Sequence, residues 1–600
     1  MKICRVFINN YRGIKEGTVY LDGNEVLVGD NNSGKSTIFE AIDLVMGPDR
    51  LSKRPVIDEH DFYAGEYFAN DNSVEITIEV VVIDLNEEQL RHFGNYIEWW
   101  DIKKNSLLQG PPAEATDDDN VVPALRLLFK GYYDLEEDDF DGHTFFALTM
   151  REGMQPVKFQ KKDKRKCGFL YLRTLRTGNR ALSLERGSLL DIILQLKELR
   201  PQMWENVIDQ LKDVSVATDP DLGIDGVLSS VQKSLATIVS YDTAETPRIK
   251  VSNLTREHLR KVLTVFLGSG SKNSSGVEYA TPYYHQGTGT INTLVLTLLS
   301  MIAEIKDNVI FAMEEPEIAL PPHVQKRVVL SVIECSDQAL FTSHSPYVIE
   351  EMQPDHILVV SRQEGILNVV PANMPPAVKT KAYKEEIRRR FCESLLARRV
   401  LITEGKTEYD VYTTAARKLQ RSHPDRSLSF ELLGISIVNA ETDSQVAELG
   451  KYYRALNKTV YAVYDKQEEK ASKIIAESVD HSYEAAEDGI EKVVLNGIKP
   501  NILISFGLRL VKEGLWPTHL SEHKPHEDMQ AEDIYNALFK YFKWSKGEGT
   551  LADLIDFCPE SEMPQFITDV IYSISETVYP IEQTAASEPS DTIEEDTISK

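Results

Sequence analysis

Along the first 150 residues, short apolar runs alternate with turn-forming polar residues, the pattern of strands rather than of long helices. Met1-Lys2-Ile3-Cys4-Arg5-Val6-Phe7-Ile8 alternates with a period of two, as a half-buried strand does. Val26-Leu27-Val28 is continuously apolar, as a strand covered on both faces is. Between residues 189 and 266 the period lengthens. Leu189-Leu190-Asp191-Ile192-Ile193-Leu194-Gln195-Leu196 and the stretches 204–214, 227–239 and 259–266 carry apolar residues at helical spacing, which predicts a helical block. Val309-Ile310-Phe311-Ala312-Met313 and Ala339-Leu340-Phe341-Thr342 then predict two buried parallel strands. After a linker at Pro371-Ala372-Asn373-Met374-Pro375-Pro376, a helix over 383–397 leads into a second alternating region that begins at Val400-Leu401-Ile402-Thr403. The fold class expected is α/β. Residues 1–185 and 271–375 form two parts of one domain, 186–270 a helical insert between them, 376–580 a second domain, and 581–600 a polar, acidic, disordered tail.

Composition adds limits. A chain of 600 residues is too long for a single core. Its apolar runs, such as 293–302, are too short and interrupted to span a bilayer, and its first residues carry no secretory signature. Five cysteines, Cys4, Cys167, Cys335, Cys392 and Cys558, lie far apart with no CxxC pair, which argues against zinc and disulfides and for the cytoplasm. Lys and Arg number 66 against 94 Asp and Glu, a net charge of −28 that at first sight excludes a nucleic-acid partner. Base nevertheless gathers at Lys161-Lys162-Asp163-Lys164-Arg165-Lys166, Arg388-Arg389-Arg390 and Arg398-Arg399, and the local field governs a phosphate-binding groove.

The sharpest local signal is Gly29-Asp30-Asn31-Asn32-Ser33-Gly34-Lys35-Ser36, a GxxxxGK[ST] loop between the strand at Val26-Leu27-Val28 and an amphipathic run from Thr37. A strand–loop–helix unit aims backbone N–H groups and a helix N-terminus at one small volume, which suits a polyphosphate. Asn32, Ser33, Gly34, Lys35, Ser36 and Thr37 are the candidate nucleotide contacts. Lys35 reaches the β- and γ-phosphates of ATP, and the Ser36 hydroxyl ligates Mg²⁺. Glu314-Glu315-Pro316 ends a later apolar strand. There Glu314 is the candidate second ligand for Mg²⁺ and Glu315 the base that activates water. Thr342-Ser343-His344-Ser345-Pro346 ends the next strand with a histidine.

In the second region, Glu404-Gly405-Lys406-Thr407-Glu408 places one acid at a strand end and another four residues on, at helical spacing. Val460-Tyr461-Ala462-Val463-Tyr464-Asp465 repeats the layout of apolar strand and terminal carboxylate. Carboxylates at adjacent strand ends make an oxygen-rich pocket suited to Mg²⁺ or Mn²⁺.

Walker A (29–36), Walker B (309–315) and the His344 loop together resemble ABC-type ATPases of the branch that includes SMC-like heads. Gln286-Gly287-Thr288-Gly289-Thr290-Ile291-Asn292-Thr293-Leu294 looks like their signature loop. The resemblance implies that Thr288 and Gly289 cover the γ-phosphate held by another subunit, that His344 serves catalysis, and that the heads dimerise. It also matches Asn9-Asn10-Tyr11-Arg12-Gly13-Ile14 to the opening of such heads, with Arg12 as a nucleotide contact. Glu314 stands where most of these proteins have aspartate, which points to slow hydrolysis.

The second region resembles the Toprim domain, and the order of the two resembles the OLD (overcoming lysogenization defect) family of ATP-dependent nucleases. That resemblance implies metal ligands at Glu404, Glu408, Asp465 and Glu491, catalytic roles for Glu404 and for Lys546 on the transition-state phosphate, and cleavage of double-stranded DNA. It further implies a homodimer or homotetramer built through the heads and the helical insert, a role in bacterial defence against phage, and a helicase or a reverse transcriptase–RNA complex as partner. Asp465-Lys466-Gln467 departs from the usual DxD, which leaves open an ATP-driven repair or clamp protein whose Toprim domain binds DNA without cutting.

Overall fold

The computed structural model describes residues 1–48, 56–69, 72–108, 110, 120–172, 182–185, 188–212, 224–238, 255–305, 309–318, 320–373 and 386–579. They form two compact units, Met1–Ala372 and Asn373–Lys600. The expected acidic tail lies outside the described residues. No helix among the described residues is long and apolar enough to cross a membrane.

The first unit is built on a thirteen-stranded mixed sheet. Five strands at one side run parallel, in the order Phe169–Leu172, Ile310–Glu314, Gln338–Thr342, Glu25–Val28 and Ile357–Gln363. The three from Ile310–Glu314 to Glu25–Val28 are buried almost throughout, which is why they read as continuous apolar runs. The sheet continues through the hairpin strand Ile366–Pro371 into Ile14–Tyr20, Lys2–Tyr11, Ile76–Ile83, Val121–Asp134 and Ile97–Asp101. From Ile14–Tyr20 onward neighbouring strands are antiparallel, and strands such as Ile76–Ile83 mix buried with half-buried residues.

The helix Lys35–Met46 leaves the phosphate loop and packs on strands of both parts of the sheet through Ile38, Phe39, Ile42 and Val45. Its far end is held by Lys164, which is 1% exposed and donates from Nζ to the Leu44 carbonyl at 2.8 Å. Burial drives that ammonium down to about 7.

The segment expected to be helical contains the helices Leu189–Leu196, Arg200–Lys212, Ile224–Ile238 and Arg256–Val262. Leu184, Trp204 and Leu259 make a small separate core there, with the Arg260 guanidinium over the Trp204 ring and paired to Asp191 at 3.2 Å. The starts of the last three helices fall three or four residues earlier than expected, and the last helix also differs at its end. The helix expected over 259–266 ends at Val262, and Phe266 opens a strand, Phe266–Lys272, paired antiparallel with Glu278–Pro282. Val262, Leu263, Val265 and Phe266 are apolar and suit either period, so their spacing alone does not distinguish helix from strand.

Glu25, at the start of the phosphate-loop strand, is 2% exposed and accepts the Asp22 N–H at 2.7 Å, while its second oxygen has no hydrogen-bond partner. Burial raises its carboxyl from the ordinary 4.5 to about 8. A carboxyl raised on folding contributes stability that is present in full below its unfolded value and is lost as pH rises through about 8. Glu25→Gln should therefore raise Tm more at pH 8 than at pH 5, with a gain on the order of 1 kcal/mol at the higher pH. Equal shifts in thermal melts at the two pH values would contradict this.

The second unit has a four-stranded parallel sheet in the order Ile435–Asn439, Arg399–Thr403, Thr459–Tyr464, His481–Glu484. The first strand in sequence lies between the second and the third. The crossover direction therefore reverses beside it, and a crevice opens at the C-terminal ends of Arg399–Thr403 and Thr459–Tyr464. Helices Lys406–Ser422, Pro500–Lys512, Ala531–Trp544, Thr550–Phe557 and Gln565–Val578 complete one core.

Candidate active sites

The phosphate loop needs left-handed backbone at three places, Gly29 (φ 147°), Asn32 (φ 63°) and Gly34 (φ 108°). At Gly29 a Cβ would stand 2.3 Å from the Val360 carbonyl oxygen, so only glycine fits. Gly34 caps the helix Lys35–Met46 with no side-chain hydrogen bond, which leaves the first-turn N–H groups open to an anion. Ser33 Oγ is buried without a hydrogen-bond partner. Lys35 is 7% exposed and spends its Nζ on the Gly29 and Asp30 carbonyls at 2.9 and 2.8 Å. Burial pushes its ammonium down to about 8, against the attraction of Asp30 and Glu315. Unsatisfied donors around a lysine that lacks a carboxylate contact fit a bound triphosphate. Ser36 is exposed and Thr37 half-buried at the mouth of this loop, and Asn32 is exposed on its rim.

Glu315 follows the strand Ile310–Glu314 in a left-handed conformation (φ 45°), with its N–H donated to the Thr342 carbonyl at 2.8 Å. This bond joins the acidic turn to the histidine loop. His344 stands within the fields of Lys35, Glu315 and Asp30. Burial and then the Lys35 charge lower its imidazole, which keeps it neutral. Lys35, Glu315 and His344, which come from three separate segments, thus converge. Glu314 Oε1 accepts from the Tyr171 hydroxyl at 2.7 Å, from the neighbouring parallel strand. Arg12 pairs with Asp61 at 2.8 Å and with Glu40, so in this structure the guanidinium expected on the nucleotide is engaged by two acids.

Thr288 opens the helix Thr288–Ile305. Cβ atoms added at Gly287 or Gly289 would meet nothing within 4 Å, so packing among the described residues does not require glycine there.

In the second unit Glu404 follows the strand Arg399–Thr403, and Asp465 follows Thr459–Tyr464, at the two lips of the crevice. Glu408 lies in the first turn of Lys406–Ser422, and Glu491 in the first turn of Ile490–Gly497. The carboxyl of Asp465 is pushed up to about 7 by burial and then by the charges of Glu404, Glu408, Glu491 and Asp488. Glu408 is raised by burial and by Glu491 and Glu404, while Lys546 opposes the rise. Lys546 arrives through a helix contact: Lys418 Nζ binds the Ile555 and Asp556 carbonyls at 2.9 and 2.6 Å, and a Cβ on Gly547 would come within 3.9 Å of Lys406. The helices Lys406–Ser422 and Thr550–Phe557 therefore run side by side in the same direction, with both N-termini at the acidic cluster. Two aligned macrodipoles raise the positive potential at that end.

Among the described residues, no three His, Cys, Asp or Glu side chains stand close enough to grip one metal ion as they are. Glu404 Oε1 accepts the Asp465 N–H at 2.9 Å and the Gln467 side-chain amide at 3.3 Å. The donor chemistry nonetheless fits a hard divalent cation. The ligands would be carboxylate oxygens, and Glu408, 8% exposed, leaves its Oε2 buried without a hydrogen-bond partner.

Comparison with known proteins bears on both units. A family model described as an AAA ATPase domain matches residues 1–121 and 157–349, more than half of the chain. The chain belongs to this ATPase family. A model described as the TOPRIM domain of overcoming lysogenization defect protein-like proteins matches residues 395–466, which contain Glu404, Glu408 and Asp465. The chain is thus an enzyme that joins an AAA ATPase domain to a segment matching the OLD-like TOPRIM domain. Its curated relatives include the OLD nuclease of Thermus scotoductus, 22% identical over 67% of this chain and 71% of that protein. Another is the endonuclease GajA of Bacillus cereus, 20% identical over 68% of this chain and 66% of that one. Similar solved structures include an SMC head bound to the winged-helix domain of ScpA, 14% identical with TM-score 0.33, covering 62% of this chain and 98% of that one. The C-terminal region of the Burkholderia pseudomallei OLD protein is 13% identical with TM-score 0.23, covering 30% of this chain and 98% of that one.

Three side chains, two in this ATPase head and one beyond it, escape a reading of motifs. Tyr171 lies 143 positions from the Glu314 it contacts, and no sequence signal links them. Glu317 binds the histidine loop and could have been suspected only from its place in Glu315-Pro316-Glu317. Asp488, in the Toprim domain, adds to the field on Asp465 from the turn before Gly489.

Proposed function

We propose that this chain is an ATP-regulated, metal-dependent endonuclease or nickase that cuts double-stranded DNA in the cytoplasm, in bacterial defence against phage. The observation that carries this reading is the convergence of Glu404, Glu408, Asp465 and Glu491, with Lys546, at the crevice of a parallel sheet. Mg²⁺ or Mn²⁺ held by these carboxylates would supply the charge that acidifies an attacking water and stabilises the leaving oxygen. Glu404 accepts the proton of that water, and Lys546 neutralises charge on the phosphate. In the head, Ser36 and Glu314 would hold Mg²⁺ with ATP, Glu315 would take the proton from water, and His344 would hydrogen-bond the γ-phosphate.

The resemblance of residues 286–294 to a signature loop supports a homodimer or homotetramer in which Thr288 and Gly289 meet the γ-phosphate of another subunit. The domain division expected from sequence, with the insert 186–270 as an assembly element, goes with this reading. A helicase or a reverse transcriptase–RNA complex is the partner class that the family resemblance suggests.

The rival reading, a repair or clamp protein that binds DNA without cutting, is favoured by one observation: the Gln467 amide sits on Glu404, where DxD proteins carry an acid. Nicking of supercoiled plasmid with Mg²⁺ or Mn²⁺, with and without ATP, decides between them. Gln467→Asp removes a donor from Glu404 and adds an anionic ligand. It should raise the nicking rate or lower the metal concentration required. Unchanged metal dependence would show that Gln467 does not limit the site, and no nicking by wild type would favour the clamp.

A further inference from the structure

We propose that Glu317 is a positioning residue for ATP hydrolysis, and that it aims His344 at the γ-phosphate by clamping the histidine loop to the turn that carries Glu315. Its two oxygens are used separately. Oε1 accepts the backbone N–H of His344 at 2.6 Å, and Oε2 accepts the Ser343 hydroxyl at 3.0 Å. Bonds from a charged acceptor are about twice as strong as neutral ones. They extend into a closed circuit. The Ser345 N–H reaches Ser343 Oγ at 3.0 Å, and the Ser345 hydroxyl donates to Gln325 Oε1 at 2.6 Å. Gln325 Nε2 binds the Leu320 carbonyl at 2.8 Å, and the Leu320 N–H returns to the Glu317 carbonyl at 3.1 Å. With the Glu315 N–H already on the Thr342 carbonyl, the two loops are tied together at both ends of the acidic turn.

The arrangement places a second carboxylate beside the base Glu315, and burial together with the Glu315 charge raises the Glu317 carboxyl. An acid held in such a place against repulsion is not explained by stability alone. The N–H and O–H donors of the histidine loop favour its ionised form against that rise, and their effect is to fix the His344 backbone. Glu317 itself bonds to the loop, so its influence on the reaction passes through His344.

This inference rests on the ATPase reading of the head. The test measures steady-state ATP hydrolysis by the full chain, together with binding of a fluorescent ATP analogue, for wild type, Glu317→Ala, Glu317→Gln, His344→Ala and the double variant Glu317→Ala/His344→Ala. Glu317→Ala should lower kcat about 10- to 100-fold, as a misplaced catalytic group does, with analogue affinity within about twofold of wild type. Glu317→Gln, which keeps one acceptor, should fall between. The double variant should be no slower than His344→Ala, because a residue acting through another adds nothing once that other is gone. If Glu317→Ala does not fold, Glu317→Gln is measured alone and combined with His344→Ala in the same way. Unchanged kcat, losses that multiply in the double variant, or parallel loss of analogue binding would overturn the proposal. A wild type that binds the analogue but hydrolyses no ATP would overturn the ATPase reading itself.

Discussion

Asp465→Ala or Glu404→Ala should abolish DNA nicking and leave ATP hydrolysis at the wild-type rate. Both carboxylates end parallel strands at the crevice beside the first strand, where side chains from two strand ends and two helix starts converge. Removing either takes away an anionic oxygen that a divalent cation needs. It also relieves the repulsion that raises Asp465, which in Glu404→Ala offsets the loss of the acceptor for the Asp465 N–H. The loss expected is about 10²- to 10³-fold or more, the scale on which one preorganised electrostatic group contributes. ATP hydrolysis should persist because Lys35, Glu315 and His344 belong to the other compact unit. Plasmid nicking and phosphate release measured on one preparation test both halves. Retained nicking in either variant would remove the Toprim site from the mechanism, whereas loss of both activities would point to a folding defect.

Glu315→Gln should preserve ATP binding and slow hydrolysis by about 10²- to 10⁴-fold, the range attributed to general acid–base groups. The amide keeps the size and the left-handed turn of Glu315 but takes no proton. Lys35→Ala should act earlier and weaken binding itself. The ammonium now held by the Gly29 and Asp30 carbonyls is the positive charge that turns to the phosphates. Analogue binding and single-turnover hydrolysis separate the two outcomes. Hydrolysis at the parental rate in Glu315→Gln would show that the base lies elsewhere.

The residue sequence by itself determined what is local. The phosphate loop is eight consecutive residues whose glycines, lysine and hydroxyl carry their own geometry, and the structure shows the left-handed turns and the uncapped helix that the spacing implies. Buried parallel strands read as unbroken apolar runs, so Ile310–Glu314, Gln338–Thr342, Arg399–Thr403 and Thr459–Tyr464 were legible, and so were the acids that end or follow them. The end of the helix at Val262 was not, because apolar residues there suit both periods.

Only the tertiary structure decided which strands are neighbours, since periodicity reports which face is buried and not against what. That order brings Tyr171 to Glu314 across 143 positions and Glu404 to the backbone of Asp465. It also decided how charges are spent. Arg12 is paired to Asp61 and Glu40, Gln467 lies on Glu404, and Glu317 holds the histidine loop. A charged side chain is long and flexible, and its partner is chosen by distance and burial in the folded chain, which neighbours in sequence do not reveal.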